Sequence, residues 1–205
     1  MKIHNFEQNS QEWYEARLGV ITASNFAKIL TPKKLEPSTQ SEVLIFDLAS
    51  EILTNESAEM FNGNYDTERG HTLEPDAAAL YEMTKGIETV KVGFITNDEG
   101  TVGASPDRLI DKNKGLEIKC PAGSKHLRYL KGKDDLVAEY KYQIQGGMLV
   151  SERDEWDIMS YHPTLPPVIE TVKRDEVYLS ALAPELKIVA QKVKDLVAEI
   201  KGKMK

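Results

Sequence analysis

Asp107, Glu117 and Lys119 are the residues whose types and spacing can do chemistry. Asp107 follows Pro106, which restricts the backbone leading into it. Ten residues later comes Glu117-Ile118-Lys119. Between them, Asp111-Lys112-Asn113-Lys114-Gly115 reads as a polar turn, with Arg108–Ile110 as the strand before it and Leu116–Cys120 as the strand after it. Strand neighbours two apart share a face. Leu116, Ile118 and Cys120 therefore point one way, and Glu117 and Lys119 the other. A hairpin can return the Asp107 carboxylate to the side of Glu117. Two carboxylates so placed bind a hard divalent cation through oxygen, with water in the remaining positions. A lysine beside them can orient a water or offset charge on a phosphate oxygen. Metal-assisted phosphodiester hydrolysis needs this set. The same residues also read as a plain surface hairpin with a Glu117–Lys119 ion pair.

The surrounding elements must hold this hairpin. Ser10 is placed to cap a helix over Gln11–Leu18, ended by Gly19. A second short helix is predicted through Ala27, Ile29 and Leu30, with Thr22 or Ser24 as its cap. Arg17 and Ser24 bracket the turn between them. An arginine, a hydroxyl and helix N–H groups suit a phosphate; a packed helix pair with an exposed Arg17 is the other reading. Thr31–Thr39 reads as a loop. A helix from about Ser41 to Leu53 has Val43, Leu44, Leu48 and Ile52 as core candidates, and polar Thr54–Asp66 reads as another loop. A helix within Thr67–Thr84 contains Glu74 followed by Pro75, which is tolerated near a helix start but not deep inside. Glu74 can bring a third carboxylate to the site, or merely complement a helix N-terminus. His71 has no His or Cys partner at metal spacing and reads as structural or exposed.

Ile87–Thr96 reads as a strand, Asn97–Gly100 as a turn and Thr101–Ala104 as a strand. Gly103 and Ala104 are small enough to let a backbone or ligand approach. After Cys120, the residues Lys125, His126, Arg128, Lys131 and Lys133 lie within nine positions. They read either as a solvated helix face or as phosphate contacts beside the site. Asp134 or Asp135 is placed to cap a helix over Leu136–Val150, on which Tyr140, Gln143 and Gly147 share a face. Glu155–Tyr161 and Val168–Val172 read as strands. Asp175 caps a final helix that Pro184 is expected to kink or divide. Its Leu186, Val189, Val193, Leu196 and Ile200 form an apolar stripe.

This order gives a single α/β domain over residues 1–205, with a mixed central sheet flanked by helices. A chain of 205 residues with 40% hydrophobic and 29% charged residues is long and apolar enough to bury a core. The net charge of −7 argues against a protein that coats nucleic acid non-specifically, but permits a local basic lining. The single cysteine, Cys120, excludes an internal disulfide and an iron–sulfur cluster, and reads as a small core residue. It suits a reducing cytoplasm. No apolar run is long enough for a transmembrane helix, and polar Met1–Gln11 does not read as a signal peptide.

Four blocks together resemble the PD-(D/E)xK nuclease superfamily, and within it the phage lambda exonuclease, or YqaJ-type viral recombinase, family. They are Arg17-Leu-Gly-Val-Ile-Thr-Ala-Ser24; Arg69-Gly-x-x-x-Glu74-Pro-x-Ala77; Ser105-Pro-Asp107 with Leu116-Glu117-Ile-Lys119-Cys-Pro121; and Tyr140-x-x-Gln143-Ile-Gln145. They stand in family order and span residues 13 to 161. The first and third are specific; the second and fourth are weak alone. The resemblance implies a restriction-endonuclease-like core and a 5′-to-3′ exonuclease. Such an enzyme degrades one strand of linear double-stranded DNA and leaves a 3′ overhang for a single-strand annealing protein. It further implies Asp107 and Glu117 as metal ligands, with Glu74 and the Ile118 carbonyl contributing. Lys119 would be the catalytic lysine and Gln143 the active-site glutamine. Arg17, Ser24 and Ser105 would hold a 5′ phosphate, and Lys125 and Arg128 would contact DNA beside it. Two Mg²⁺ ions are expected, with Mn²⁺ as a substitute. A ring-shaped homotrimer is also implied, in which an acidic exterior coexists with a basic channel. Two other readings stay open: another nuclease of the superfamily, such as an endonuclease or resolvase, and a DNA-end-binding protein without activity.

Overall fold

The computed structural model describes residues 1–31, 34–57 and 65–204, without the side chains of 65–68. Most of the loop expected over Thr54–Asp66 therefore lies outside the described residues, as do Pro32 and Lys33 of the loop expected over Thr31–Thr39.

The strands form two four-stranded mixed sheets rather than one. In the first, β1 (Lys2–His4) and β4 (Val102–Ala104) flank β3 (Phe94–Thr96) antiparallel, and β2 (Ile21–Thr22) joins β4 in parallel. In the second, the order is β5 (Arg108–Leu109), β6 (Lys114–Lys119), β7 (Glu155–His162) and β8 (Leu165–Lys173). The expected hairpin is present, with Arg108 opposite Leu116 and Leu109 opposite Gly115. Its turn is tighter than predicted because the Asp111 carboxylate accepts the N–H groups of Asn113 (2.6 Å) and Lys114 (2.8 Å). The buried Arg153 guanidinium fastens the same turn to the rest of the sheet through the Asp111, Lys114 and Ser151 carbonyls. The strand expected over Ile87–Thr96 is short, with only Val90 bridging to Leu109 ahead of β3.

Side-chain alternation decides what covers each face of the second sheet. Leu116, Ile118, Cys120 and Met159 pack on Ala77, Ala78 and Tyr81 of α3 (Tyr65–Lys85). On the other face, Trp156, Ile158, Val168 and Val172 pack beneath Tyr129 of α4 (Gly123–Lys131) and Leu136, Ile144 and Met148 of α5 (Lys133–Ser151). Glu117 and Lys119 look toward that α5 side. Neither Asp134 nor Asp135 caps α5 as expected: the helix starts earlier, at Lys133 with Gly132 as N-cap, so both aspartates lie inside its first turn, where they complement the helix N-terminus.

Three local expectations are corrected. Pro75 lies in the middle of α3 and Pro184 inside an undivided α6 (Glu176–Lys203). Each proline removes one helical hydrogen bond, but packing holds both helices: α6 buries Leu179 and Leu182 before Pro184 and Leu186 and Val189 after it, and α3 buries Ala77, Ala78 and Tyr81 just after Pro75, with Leu73 partly buried before it. In α2 (Gln40–Thr54) the buried residues are Leu44, Ile45, Leu48 and Ala49, whereas Val43 and Ile52 are exposed, because α2 meets α6 along a narrower face than the periodicity implied. The segment after β2 is a 3-10 helix, Ala23–Lys28, and the Thr22 hydroxyl pairs with Ser24 and Asn25 instead of capping it. α1 (Gln11–Arg17) is capped as expected, Ser10 accepting from Trp13 N–H. Asp175 likewise caps α6 through Tyr178 N–H. Among the described residues no helix is long and apolar enough to cross a membrane.

Gly146 of α5 shows how closely the layers meet. A methyl group there would lie 2.6 Å from the Phe26 ring and 2.8 Å from the Ala23 methyl, both in the 3-10 helix. Alanine would gain about 1 kcal/mol in helix propensity, yet overpacking costs about 1–3 kcal/mol. We expect Gly146→Ala to lower the thermal midpoint; a raised midpoint would show that the 3-10 helix yields freely.

Candidate active site

The turn into β5 carries Asp107, β6 carries Glu117 and Lys119, and α5 lays Gln143 and Tyr140 over them. Glu117 is 4% exposed. Its carboxylate accepts from Gln143 Nε2 at 2.6 Å and pairs with Lys119 Nζ at 2.7 Å. Lys119 also donates to Gln143 Oε1 at 3.4 Å and stands 4.7 Å from the centroid of the Tyr140 ring. Gln143 thus bridges the acid and the amine with the two ends of its amide. The Asp107 carboxylate accepts from Ile118 N–H at 2.6 Å, which locks it against β6. The ion pair of the bland hairpin reading is therefore real, but it lies recessed under α5 instead of on an open surface.

The electrostatics of this centre are unbalanced. Burial pushes the Asp107 carboxyl well above the usual carboxylate range, and the Glu117 charge adds to that. Burial opposes the charge on Lys119, but Glu117 and Asp107 outweigh it and hold the ammonium above its ordinary value. One ammonium thus faces Asp107 and Glu117, with Glu74 adding to the negative field at Asp107. The donor set is hard oxygen, and crowded carboxylates with too little positive charge fit a divalent cation. Among the described residues no three His, Cys, Asp or Glu side chains form a metal-holding group by themselves. Asp107 and Glu117 would need main-chain oxygen and water to complete a coordination shell. Ile118 lines the cleft beside Asp107. Glu74 lines it too, its carboxylate held by Arg108 Nη1 at 2.5 Å.

A 470 Å³ cleft contains Asp107, Glu117, Lys119 and Gln143 together with Arg17, Ser24 and Ser105. Arg17 Nη1 donates to Ser105 Oγ at 3.0 Å, and so does Trp13 Nε1 at 3.0 Å. The Arg17 guanidinium lies 4.0 Å from the Trp13 ring centroid. Trp13 and Tyr14 line the cleft but were not singled out from sequence. The available signal was spacing, since residues four apart on a helix meet.

The basic run divides. His126 is fully buried and bonded to Ser160 Oγ (2.8 Å) and the Pro166 carbonyl (2.9 Å), so it belongs to the core and leaves the predicted basic face. Lys133 pairs with Glu170 at 2.9 Å. Lys125 pairs with Glu139 and lines a second, 320 Å³ cleft with Tyr140 and Asp107. Arg128 is exposed on α4 and lines neither cleft. The smallness of Gly103 serves the Phe94 ring, against which any Cβ would collide.

Comparison with known proteins fits this geometry. No curated protein matches the sequence. Among solved structures, the chain is similar to an alkaline exonuclease from Laribacter hongkongensis, at 28% identity over 95% of this chain and 98% of that one, with a TM-score of 0.83. The figures are the same for that enzyme in complex with dAMP. A phage related exonuclease from Haemophilus somnus 129PT matches in fold, at 16% identity over 88% of this chain and 96% of that one, with a TM-score of 0.73. The restriction-endonuclease-like architecture read from the sequence agrees with these folds. The profile of the YqaJ-like viral recombinase domain matches residues 12–154, and the chain belongs to that family.

Proposed function

We propose that this protein is a divalent-metal-dependent exonuclease that degrades one strand of linear double-stranded DNA from 5′ to 3′. It leaves a 3′ overhang for a single-strand annealing protein. The observation that carries this reading is one cleft lined by both the Asp107–Glu117–Lys119–Gln143 cluster and the Arg17–Ser24–Ser105 group. Membership of the YqaJ-like family and the likeness to an alkaline exonuclease support it. The dAMP in that relative is a deoxynucleoside monophosphate, the product class of stepwise exonuclease action.

Asp107 and Glu117, with the Ile118 carbonyl and Glu74 at the margin, would hold the ions, for which Mg²⁺ is the proposed species and Mn²⁺ the substitute. Bound there, divalent ions supply charge neutralisation for the scissile phosphate and a more acidic water. The protein's own residues do the positioning. Gln143 holds the Glu117 carboxylate and the Lys119 amine side by side. Lys119, held as an ammonium, orients the attacking water and offsets charge on the phosphate. Arg17 and Ser105 take the 5′ phosphate. Ser105 and Asp107 are two residues apart, at most about 7 Å of chain, roughly one nucleotide step. A 5′ phosphate at Ser105 therefore sets the next phosphodiester at Asp107, which favours release of single nucleotides. In this reading three copies form a ring around the duplex in the cytoplasm of a bacterial or phage-infected cell, and residues 1–205 act as one nuclease domain.

The test is linear duplex labelled at one 3′ end, offered with 5′ phosphate or 5′ hydroxyl beside a closed circle, in Mg²⁺. Progressive loss of one strand from phosphorylated ends, with the circle intact, is expected. Nicking of the circle would replace the reading with an endonuclease, and binding without cleavage in Mg²⁺ or Mn²⁺ with a DNA-end-binding protein. Arg17→Ala is expected to erase the preference for 5′-phosphorylated ends, worth roughly 10- to 100-fold for a charge-assisted contact. An unchanged ratio would remove Arg17 from the phosphate pocket.

A further inference from the structure

Two clefts meet at the centre of the site, and the residues lining both are Asp107, Lys119 and His71. The first two are the core of the proposed chemistry. The third lacks a His or Cys partner at metal spacing, an objection that concerns metals and not phosphates.

His71 lies on α3, one helical turn before Glu74, and its side chain is exposed. Among the described residues no hydrogen bond or ion pair engages its ring. This sets it apart from the cationic groups in and around the junction. Lys119 is drawn to Glu117 and Gln143, Arg108 to Glu74, and Lys125 to Glu139. The 470 Å³ cleft carries Arg17 and Ser105 at the end proposed for the 5′-terminal nucleotide. The 320 Å³ cleft carries Lys125, Tyr140 and Pro121. A strand whose first nucleotide fills one cleft and whose next nucleotides enter the other must cross at the junction. The bond to be cut then lies between Asp107, Lys119 and His71. An imidazole always offers at least one N–H donor, and charge on a phosphate grows most where the bond is breaking.

We propose that His71 is a further catalytic residue, donating a hydrogen bond to a non-bridging oxygen of the scissile phosphodiester. The proposal rests on the exonuclease reading above. It assigns α3 a role separate from that of Glu74: the helix supplies a substrate contact as well as a carboxylate. Because His71 is exposed, replacing it leaves the packed face of α3 untouched, and alanine and glutamine are both good helix formers.

The experiment compares wild type, His71→Ala and His71→Gln on 5′-phosphorylated linear duplex. Each substrate carries either natural phosphate or one phosphorothioate diastereomer at the first scissile position. His71→Ala is expected to slow strand loss about 10- to 100-fold, the worth of a hydrogen bond to a charged group. It should also lose the slowing that sulfur causes at the oxygen His71 contacts. His71→Gln, which keeps an N–H donor, should retain most of both. The ratio of 5′-phosphate to 5′-hydroxyl rates, which belongs to Arg17, should not move. A His71→Ala rate within twofold of wild type overturns the proposal, and so does a slower variant whose sulfur sensitivity is unchanged. Binding of the same duplex in Ca²⁺ separates this proposal from the activity it rests on. If wild type binds but does not cleave, the exonuclease reading fails. A binding loss in His71→Ala would then preserve the phosphate contact, and equal binding would end that too.

Discussion

Replacing Asp107 by alanine is expected to abolish loss of the 5′-ended strand, lowering the rate by about 10³-fold or more, while duplex binding in Ca²⁺ persists. The reason is positional. Asp107 is locked to β6 through Ile118 N–H, lines both clefts, and shares the centre with Glu117, so no neighbouring carboxylate can take its place. Glu74 is held by Arg108, and Glu117 is already clamped by Gln143 and Lys119. The variant should fold at least as stably as wild type. Its loss removes one of the crowded negative charges and leaves a single strand N–H beside a solvated cleft. Activity and stability are thus expected to part company at this position. A fully active Asp107→Ala protein would sink the catalytic assignment of the hairpin, and an inactive one that fails to fold would be resolved by Asp107→Asn, which keeps the acceptor for Ile118.

The second large effect concerns a residue with no part in the chemistry. Asp157 on β7 is 1% exposed. Its carboxylate accepts from Tyr81 (2.6 Å), Thr171 (2.6 Å) and Lys114 (2.9 Å), joining α3, β8 and β6 at one point. Removing one partner of a buried charged network costs about 3–5 kcal/mol. Asp157→Ala is expected to lower the thermal midpoint by roughly 10 °C in a chain of this size. The pH dependence follows from the same contacts. Burial pushes the Asp157 carboxyl upward, but the hydrogen bonds from Thr171, Tyr81 and Lys114 outweigh it and hold the group below the usual carboxylate range. The folded value lies below the unfolded one, so the ionised form is favoured by folding. Its stabilisation is fully present above the unfolded value of about 3.9 and is lost as pH falls through the lower folded value. Thermal melts from pH 7 down to acid should show this loss in wild type, and Asp157→Asn should lack it. Parallel curves for the two proteins would mean that the network does not depend on charge.

The hairpin and the site differ in how far local pattern could specify them. Alternation over Leu116–Cys120 correctly assigned two faces, because strand geometry is local and has period two. Capping by Ser10 and Asp175 was equally legible, since the cap and the N–H it accepts are three residues apart. Spacing also placed Tyr140, Gln143 and Gly147 on one face of α5, which is the face that covers the site. The prolines were misjudged in position, because the cost of a missing hydrogen bond is local while the packing that absorbs it is not. His126 was misread for the same reason. Its neighbours in sequence are basic, but its neighbours in space are Ser160 and Pro166, and nothing within α4 announces them.

By itself, then, the sequence determined membership of the YqaJ-like family, and it offered two acids, a lysine and a glutamine as the residues proposed for the chemistry. It also determined the α/β class and the elements that carry those residues, because capping, periodicity and turn chemistry act over a few positions. Only the tertiary structure decided that the strands split into two sheets and that α3 and α5 close on opposite faces of the second. It alone brought Arg17 and Ser105, 88 residues apart, into one contact. It alone set His71 at the meeting of two clefts and buried Asp157 as a fastening point. Those outcomes depend on which faces meet across long separations, and that is settled by packing.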